Sequence, residues 1–370
     1  MEEEIVVKST RVKEIVKYKR RLVEVPYTAS VGDTLNVLLA NNILAVPVAA
    51  PPGQWIGAGG SMILESDKAT GAIRKHYIGM VSMLDILVHL AESESDDVGA
   101  NLMAVPVSSI IGHCLEGLSL WTVSPNTSVL DVMEPLSKGI HRALVPLESH
   151  QDHVAVLELK ETSPGYRMLT QMDIVQFLKL HSNKLKSFMS TSVGQLGAVH
   201  SGVFAVPANM QVASAVKCMQ NTSLNAVAIV EGSVDSQQGP MLITGEGRRL
   251  VGTFSSSDLR GCPLGMLQSQ LSLSVFEFTE KNKGEQFEYN PGAAASAAAL
   301  TSITPGSRPL VTCLFTSALE EVISKAVNYH IHRVWVVDEV GSLVGLVALT
   351  DMLRAIRTAI VAQDASGKQS

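Results

Sequence analysis

Two segments near the end of the chain decide its fold: IHRVWVVD at residues 331–338 and VGLVALTD at residues 344–351. Each contains an apolar run rich in β-branched residues, and together they predict two neighbouring strands joined by a short turn. The pair His332-Arg333 stands at the start of the first strand, and Asp351 opens a helix after the second. Weaker copies of this unit occur three times earlier in the chain.

The second strand and its aspartate recur as GMVSMLD (79–85), RMLTQMD (167–173), GTFSSSD (252–258) and GLVALTD (345–351). Asp173 lies 88 residues after Asp85, Asp258 lies 85 residues after Asp173, and Asp351 lies 93 residues after Asp258. A spacing this regular indicates a repeated supersecondary unit. An amphipathic helix precedes each first strand, because apolar residues recur there at helical spacing. Each copy is therefore predicted to be a small α/β module of the order helix, strand, strand, helix.

The composition limits the classes of protein to which the chain can belong. It has 370 residues, 46% of them hydrophobic and 17% charged, which is enough apolar material for about two packed domains. The net charge of −6 argues against a nucleic-acid-binding protein, which would normally carry a strongly basic domain. No apolar run reaches the roughly 18 residues that a membrane span needs.

The cysteines and the N-terminus predict where the protein works. The four cysteines show no C-x-x-C spacing, so free thiols in a reducing compartment are favoured over a metal site. The first residues, MEEE, are acidic where a signal peptide would be basic. We therefore expect a protein of the cytoplasm, the nucleus or both.

The repeated units resemble CBS motifs, which are named for cystathionine β-synthase. The resemblance is strongest in NYHIHR (328–333) and GIHRA (139–143), and it is also good in NNILAVPV (41–48). Four such motifs on one chain resemble the γ regulatory subunit of AMP-activated protein kinase and its yeast and plant relatives. The long segments between paired strands resemble the plant γ-like proteins more than the compact animal ones.

The resemblance implies an α/β (α+β) fold of four CBS motifs. We place them at 11–92, 105–182, 187–262 and 309–362, with a partly low-complexity linker at 263–308. In this family two CBS motifs pair into a Bateman module, and two modules form a flat pseudo-symmetric disc with nucleotide clefts near its centre. The implied pairs are motif 1 with motif 2 and motif 3 with motif 4.

The resemblance also implies the binding residues. The aspartate after each second strand binds ribose in the family, and the His-Arg pairs contact phosphate, with nearby hydroxyls as further donors. The implied nucleotide-binding residues are Asp85, Asp173, Asp258, Asp351, His141, Arg142, His332, Arg333, Ser255 and Thr350. The ligands would be AMP, ADP or ATP, and the partners would be the α and β subunits of a protein kinase.

Helix capping is an alternative role for the aspartates. Ser82, Thr170 and Ser255 each stand three residues before an aspartate, and this spacing is typical of a capping box that needs no ligand. The fourth copy has Ala348 at that position, so capping accounts less well for Asp351. In both His-Arg pairs, strand alternation would send the two side chains to opposite faces, so that only one of each pair need face a cleft.

Several departures from the family pattern reduce the expected positive charge. Leu44 stands where animal γ subunits carry an arginine, Asn225-Ala226 replaces the His-Arg pair of motif 3, and Ser256 replaces a common lysine. Fewer or weaker sites than in the best AMP sensors are therefore expected. In motif 3, Gly261-Cys262-Pro263 should also end the helix after Asp258 almost at once.

These observations favour a non-catalytic regulatory subunit that binds adenine nucleotides and modulates a partner kinase. One alternative is a γ-like interaction scaffold that has lost sensing, which Leu44, Asn225 and Ser256 favour. A more remote alternative is an enzyme that hydrolyses a bound nucleotide. Only the aspartates near the expected phosphate position favour that alternative. No set of metal-binding residues accompanies them in the sequence.

Overall fold

The computed structural model describes residues 2–50, 77–92, 103–147, 165–233, 239–261, 267–281 and 310–367. The predicted linker at 263–308 lies outside the described residues apart from 267–281. That part forms the helices Leu267–Gln270 and Val275–Lys281. It packs on motif 3, because Phe278 is buried edge-on against Phe254 with their ring centroids 5.7 Å apart. This segment therefore extends the core of the third motif.

Each motif contains the predicted helix, two antiparallel strands and a second helix. The elements of motif 1 are Val31–Ala40, Ala45–Ala49, Tyr77–Ser82 and Met83–Glu92. Those of motif 2 are Val129–Leu136, Arg142–Leu147, Gly165–Thr170 and Gln171–Leu180. Those of motif 3 are Val212–Asn221, Ala226–Val230, Leu250–Ser255 and the 3₁₀ segment Ser256–Gly261. Those of motif 4 are Leu319–Asn328, Arg333–Val337, Leu343–Ala348 and Leu349–Gly367.

The structure adds a short strand before the first helix of the motifs. Val25–Pro26, Phe204–Pro207 and Thr312–Cys313 each pair in parallel with the first long strand of their motif. In motif 2 the corresponding contact is a single parallel bridge between Thr122 and Leu144. The prediction of helix, strand, strand, helix was incomplete here, because strands of two to four residues are too short to show an alternating pattern.

The remaining described elements lie before, between and within these motifs. They are the helices Glu2–Ser9, Val12–Val16 and Lys186–Met189, the 3₁₀ segments Val107–Ile110, Leu115–Leu118 and Ser182–Lys184, and the strand Ile243–Thr244. No helix in the described part of the chain is long and apolar enough to cross a membrane.

A left-handed residue follows the first helix of every motif. Asn42, Ser223 and His330 have φ angles of 50°, 55° and 49°, and Gly139 has a φ of 99°. A left-handed residue just past a helix turns the chain away from the helix axis. The chain then enters the first strand three residues later in each motif. This common geometry aligns the four motifs residue by residue.

Two helical cores join motifs that are distant in sequence. One buries residues of motifs 2 and 4 together, such as Ile174, Val175, Leu353 and Ile356. The other joins motif 1 to motif 3, and there the helices Met83–Glu92 and Val212–Asn221 pack against each other. A third, smaller core lies between the sheets of motifs 3 and 4, as the implied pairing requires. Clefts therefore form where strands of different motifs meet.

Candidate functional site

The strand register shows which residues are equivalent in the four motifs. In each antiparallel pair, the first residue of the first strand lies opposite the residue that stands three before the aspartate. The four pairs are Ala45 with Ser82, Arg142 with Thr170, Ala226 with Ser255, and Arg333 with Ala348. Arginine therefore occupies this position in motifs 2 and 4, and alanine occupies it in motifs 1 and 3.

One cleft lies between motifs 3 and 4 and is the principal candidate site. Motif 4 contributes His332, Arg333 and Trp335, and motif 3 contributes Ser255 and Asp258. Its other lining residues include Leu44, Asn225, Ala226, Val251, Thr253, Ser256, Ser257, Leu310 and Val311. The cleft thus combines a cation, the carboxylates of Asp258 and Glu280 and several hydroxyl groups with an apolar wall.

Arg333 is the principal positive charge of this cleft. One of its guanidinium nitrogens, Nη1, donates to the backbone oxygen of Ala226 at 2.6 Å, which holds the side chain across the boundary between the motifs. Burial lowers the pKa of Arg333 to about 10, while the negative charge of Asp351 opposes that shift. The group is therefore protonated at neutral pH. Within the described ranges, no carboxylate forms an ion pair with it.

Trp335 forms part of the apolar side of the cleft and ties the two motifs together. Its ring is 2% exposed, and its Nε1 donates to Thr253 Oγ1 at 2.6 Å. A buried indole needs such a partner for its N–H group. The bond links a strand of motif 4 to a strand of motif 3 at the wall of the cleft.

The serine-rich turn of motif 3 also lines the cleft. The backbone N–H of Ser255 donates to Asp258 Oδ2 at 2.8 Å, and the hydroxyls of Ser255 and Ser257 lie 2.6 Å apart. The turn continues as a 3₁₀ segment that ends at Gly261, whereas the corresponding segments of the other motifs are α-helices of at least ten residues. The short helix predicted after Asp258 is confirmed, although Cys262 and Pro263 lie outside the described residues.

A second pocket contains the His-Arg pair of motif 2, and a carboxylate fills its charged end. His141 Nδ1 lies 3.2 Å from Glu116 Oε1, and Arg142 forms an ion pair with the same oxygen. The other oxygen, Oε2, accepts a hydrogen bond from Asn225 Nδ2 at 3.2 Å. Burial raises the pKa of Glu116, but Arg142 and His141 outweigh that effect and hold the pKa at about 2.

Both members of each His-Arg pair face a cleft. His332 and Arg333 line the first cleft, and His141 and Arg142 both reach Glu116 in the second. Both residues of each pair thus face a cleft, although strand alternation requires only one of them to do so. The reason is that the strands begin at Arg142 and Arg333, so that each histidine lies before the strand and outside its alternation.

The aspartates of motifs 1 and 2 are engaged by the protein itself. Asp85 Oδ2 accepts from the backbone and the hydroxyl of Ser82 at 2.8 and 2.5 Å, and Oδ1 accepts from the backbone of Cys114 at 2.8 Å. Burial raises the pKa of Asp85, against the effect of these hydrogen bonds. Asp173 Oδ2 accepts from the backbone of Thr170 at 2.7 Å and from Lys19 Nζ at 2.5 Å. Neither aspartate lines one of the two pockets.

Thr350 and Asp351 do not line the cleft that contains His332 and Arg333, although the charge of Asp351 reaches Arg333. Asp351 accepts from the backbone of Ala348 at 2.9 Å and from Arg354 Nη2 at 2.6 Å. Asp351 thus takes part in capping the helix. Ala348 lacks only the side-chain hydroxyl that would accept the second hydrogen bond of a capping box. Thr350 Oγ1 accepts from Gln171 Nε2 of motif 2 at 2.8 Å. Of the four predicted aspartates, Asp258 is the one that lines a described cleft.

Sequence reasoning missed Glu116, Trp335 and Gln171. Glu116 lies in the 3₁₀ segment Leu115–Leu118, between the first two motifs, where the repeated pattern has no counterpart. The role of Trp335 could have been found from its position two residues after Arg333 in the first strand of motif 4, because alternate residues of a strand share a face. Gln171 contacts Thr350 across 179 positions of sequence, and no local pattern indicates such a contact.

Comparisons with known proteins agree with this architecture. The family model described as "CBS domain" matches residues 302–358, which cover most of the fourth motif. The chain is 49% identical over 351 residues to the SNF1-related protein kinase regulatory subunit gamma-like PV42b of Arabidopsis thaliana, with 95% of each chain covered. It is 48% identical over 355 residues to the Arabidopsis protein PV42a of the same description, covering 94% of this chain and 95% of the relative.

A solved structure shares the fold at low sequence identity. It is a Methanocaldococcus jannaschii protein described as an archaeal homolog of γ-AMPK, with a TM-score of 0.58 and 14% identity. The match covers 93% of this chain and 99% of that one. Fold, repeats and clefts thus define a regulatory-type protein built from CBS motifs. Because it is 49% and 48% identical to these two Arabidopsis proteins over 95% and 94% of its length, the chain belongs to the family of SNF1-related protein kinase regulatory subunit gamma-like proteins.

Proposed function

We propose that this protein is a non-catalytic regulatory subunit that binds an adenine nucleotide in the cleft between motifs 3 and 4 and modulates a partner protein kinase. The names of the Arabidopsis relatives support the regulatory role and a kinase complex as its setting. The kinase would contribute α and β subunits, and the complex would work in the cytoplasm, the nucleus or both.

The observation that carries the nucleotide proposal is the state of Arg333. Its guanidinium is partly buried and charged, and one of its nitrogens donates to the carbonyl oxygen of Ala226. A planar guanidinium has further N–H donors that match phosphate oxygens. The equivalent Arg142 already has a carboxylate partner, and the equivalent positions in motifs 1 and 3 are alanines. Arg333 is therefore the arginine of this set best placed to bind a phosphate.

The rest of the cleft fits the other parts of a nucleotide. Asp258 Oδ2 accepts the N–H of Ser255, and an aspartate at the start of a helical turn is also suited to accept ribose hydroxyls. The hydroxyls of Ser255 and Ser257 can donate to phosphate beside His332. Leu44, Val251 and Val311 supply an apolar surface for the base. The phosphate would therefore lie toward motif 4 and the ribose toward motif 3.

Calorimetric titration of the full chain with AMP, ADP and ATP tests this proposal. We expect one nucleotide per chain and a loss of at least tenfold in affinity in Arg333→Met, because charge-assisted hydrogen bonds are worth about 1.5–3 kcal/mol. Arg249→Met is the matched control, since Arg249 is 69% exposed and lies outside the cleft. No heat with any nucleotide at millimolar concentration, with the chain folded by circular dichroism, would overturn the proposal.

The second candidate is a γ-like scaffold without sensing. Leu44, Asn225 and Ser256 favour it, and Ala45 and Ala226 stand at the register position that arginine occupies in the other two motifs. Co-purification with kinase α and β subunits separates the two candidates. A sensor predicts that AMP and ATP change kinase activity or subunit binding, and that Arg333→Met abolishes the change. A scaffold predicts the same subunit binding in both proteins and no effect of nucleotide.

A further inference from the structure

Glu116 is directed inward although the two leucines of its segment are exposed. Leu115 and Leu118 are 68% and 58% exposed, whereas the side chain of Glu116 is 27% exposed. Its carboxylate receives donors from two motifs, the His141-Arg142 pair of motif 2 and Asn225 of motif 3. An acidic side chain thus lies where the repeat places a phosphate-binding pair.

The backbone around Glu116 is fixed from both sides. Cys114, two residues earlier, donates its N–H to the buried Asp85 at 2.8 Å. A Cβ added to Gly117 would come within 2.5 Å of the carbonyl oxygen of Met80, so the absence of a side chain lets the segment lie directly on a strand of motif 1. These contacts hold Glu116 in place without requiring Arg142 to position it.

We propose that Glu116 is a specificity-determining residue that excludes nucleotide phosphate from the pocket of motif 2 by occupying the anion position between His141, Arg142 and Asn225. The proposal rests on the proposed function in one respect, since it takes the His-Arg pair as a phosphate-binding arrangement. A phosphate that enters this pocket must either displace the carboxylate or share the same donors with it. Both are unfavourable, because like charges repel strongly where water is partly excluded.

The contrast with the other cleft strengthens this inference. Arg142 and Arg333 lie at the same register position of their motifs, opposite Thr170 and Ala348. Arg142 is paired with Glu116, whereas Arg333 donates to a neutral backbone oxygen. The two related pockets thus differ in whether a carboxylate is paired with the arginine. The chain should bind nucleotide phosphate at motif 4 and exclude it at motif 2.

Titration of the full chain with ATP tests the role of Glu116. Glu116→Gln keeps the shape of the side chain and removes its charge, and we expect it to gain a second equivalent of ATP. The gain should disappear in Glu116→Gln/Arg142→Met and persist in Glu116→Gln/Arg333→Met. Glu116→Asp retains the negative charge and should gain no site. A folded Glu116→Gln protein with wild-type stoichiometry and affinity would overturn the proposal.

A second measurement does not depend on the folding of Glu116 variants. In the wild-type background, Arg142→Met should leave ATP affinity within twofold of the original value. A loss of tenfold or more in this variant would mean that the pocket of motif 2 already binds phosphate, and it would overturn the proposal. The proposed function and the role of Glu116 can be contradicted independently of each other. A wild-type chain that binds no ATP contradicts the proposed function, whereas a new site in Glu116→Gln would still support the role of Glu116.

Discussion

Gln171 Nε2 lies 2.8 Å from Thr350 Oγ1, so the first residue of a helix in motif 2 is hydrogen-bonded to the second residue of a helix in motif 4. The same amide nitrogen also donates to the backbone oxygen of Leu136 at 2.8 Å. Gln171 is 5% exposed, so its polar atoms depend on partners within the protein. The contact therefore joins the two motifs that share the larger helical core.

Thr350→Val tests whether this threonine acts in structure. The substitution removes the acceptor oxygen at nearly constant volume, and it leaves a buried amide with one fewer partner. We expect the free energy of unfolding to fall by about 1–2 kcal/mol, measured by urea denaturation. Thr222→Val is the control, because the exposed Thr222 bonds only within its own turn. A fall in nucleotide affinity without a change in stability would contradict the structural role.

Trp335→Phe tests the hydrogen bond that joins motifs 3 and 4 at the wall of the candidate cleft. The variant loses the 2.6 Å hydrogen bond from Nε1 to Thr253 and leaves a small void in a buried site. We expect unfolding to become easier by about 1–2 kcal/mol. We also expect weaker nucleotide binding, because the hydrogen bond that holds the two strands lining the cleft together is lost. Trp121→Phe serves as the control, since Trp121 is 52% exposed, and equal effects of the two variants would refute this explanation.

The repeated pattern predicted the α/β fold because every copy presents the same local signals. The strands that begin at Ala45, Arg142, Ala226 and Arg333 follow from apolar runs, and the helices follow from apolar residues at helical spacing. The capping role of the aspartates was also visible, since it depends on residues three apart. These features are local, and a sequence can show them directly.

The composition of the candidate site could be predicted only in part. His332 and Arg333 belong to motif 4, whereas Ser255 and Asp258 line the same cleft from motif 3, and Thr350 and Asp351 do not line it. Which aspartate joins which arginine depends on how the motifs pack. Glu116 was not predictable from the repeat, because it lies in the connection between motifs.

Gly117→Ala tests whether close backbone contact positions Glu116. An added methyl group would lie 2.5 Å from the carbonyl oxygen of Met80, so the segment Leu115–Leu118 must move away from the strand. We expect a loss of about 1–3 kcal/mol in stability, as is typical of overpacking, measured by thermal or urea unfolding. Gly165→Ala is the control, because its added methyl would meet only Arg167 Nη1 at 3.4 Å. Equal stability of both variants would show that the segment adjusts freely.

The pH dependence of stability offers a direct test of the ion pair between Glu116 and Arg142. The pKa of Glu116 falls from an ordinary value of 4.5 to about 2, because Arg142 and His141 outweigh the opposing effect of burial. A carboxyl group whose pKa is lowered by folding stabilises the folded state above its unfolded pKa. That contribution is lost as the pH falls through the folded value. Wild-type protein should therefore lose part of its stability between pH 4.5 and about pH 2 through this group.

Glu116→Gln should remove that part of the pH dependence. At neutral pH we expect the variant to be less stable than wild type by about 1–3 kcal/mol, because a charged acceptor has been lost beside two donors. The difference between the proteins should shrink as the pH falls from 4.5 to about 2, since wild-type Glu116 then becomes uncharged as well. Urea midpoints measured at half-unit pH steps report this difference, with Glu231→Gln as the control because Glu231 is 58% exposed. A difference that stays constant across this range would mean that the carboxylate charge does not stabilise the fold, and that Glu116 is held by its backbone alone.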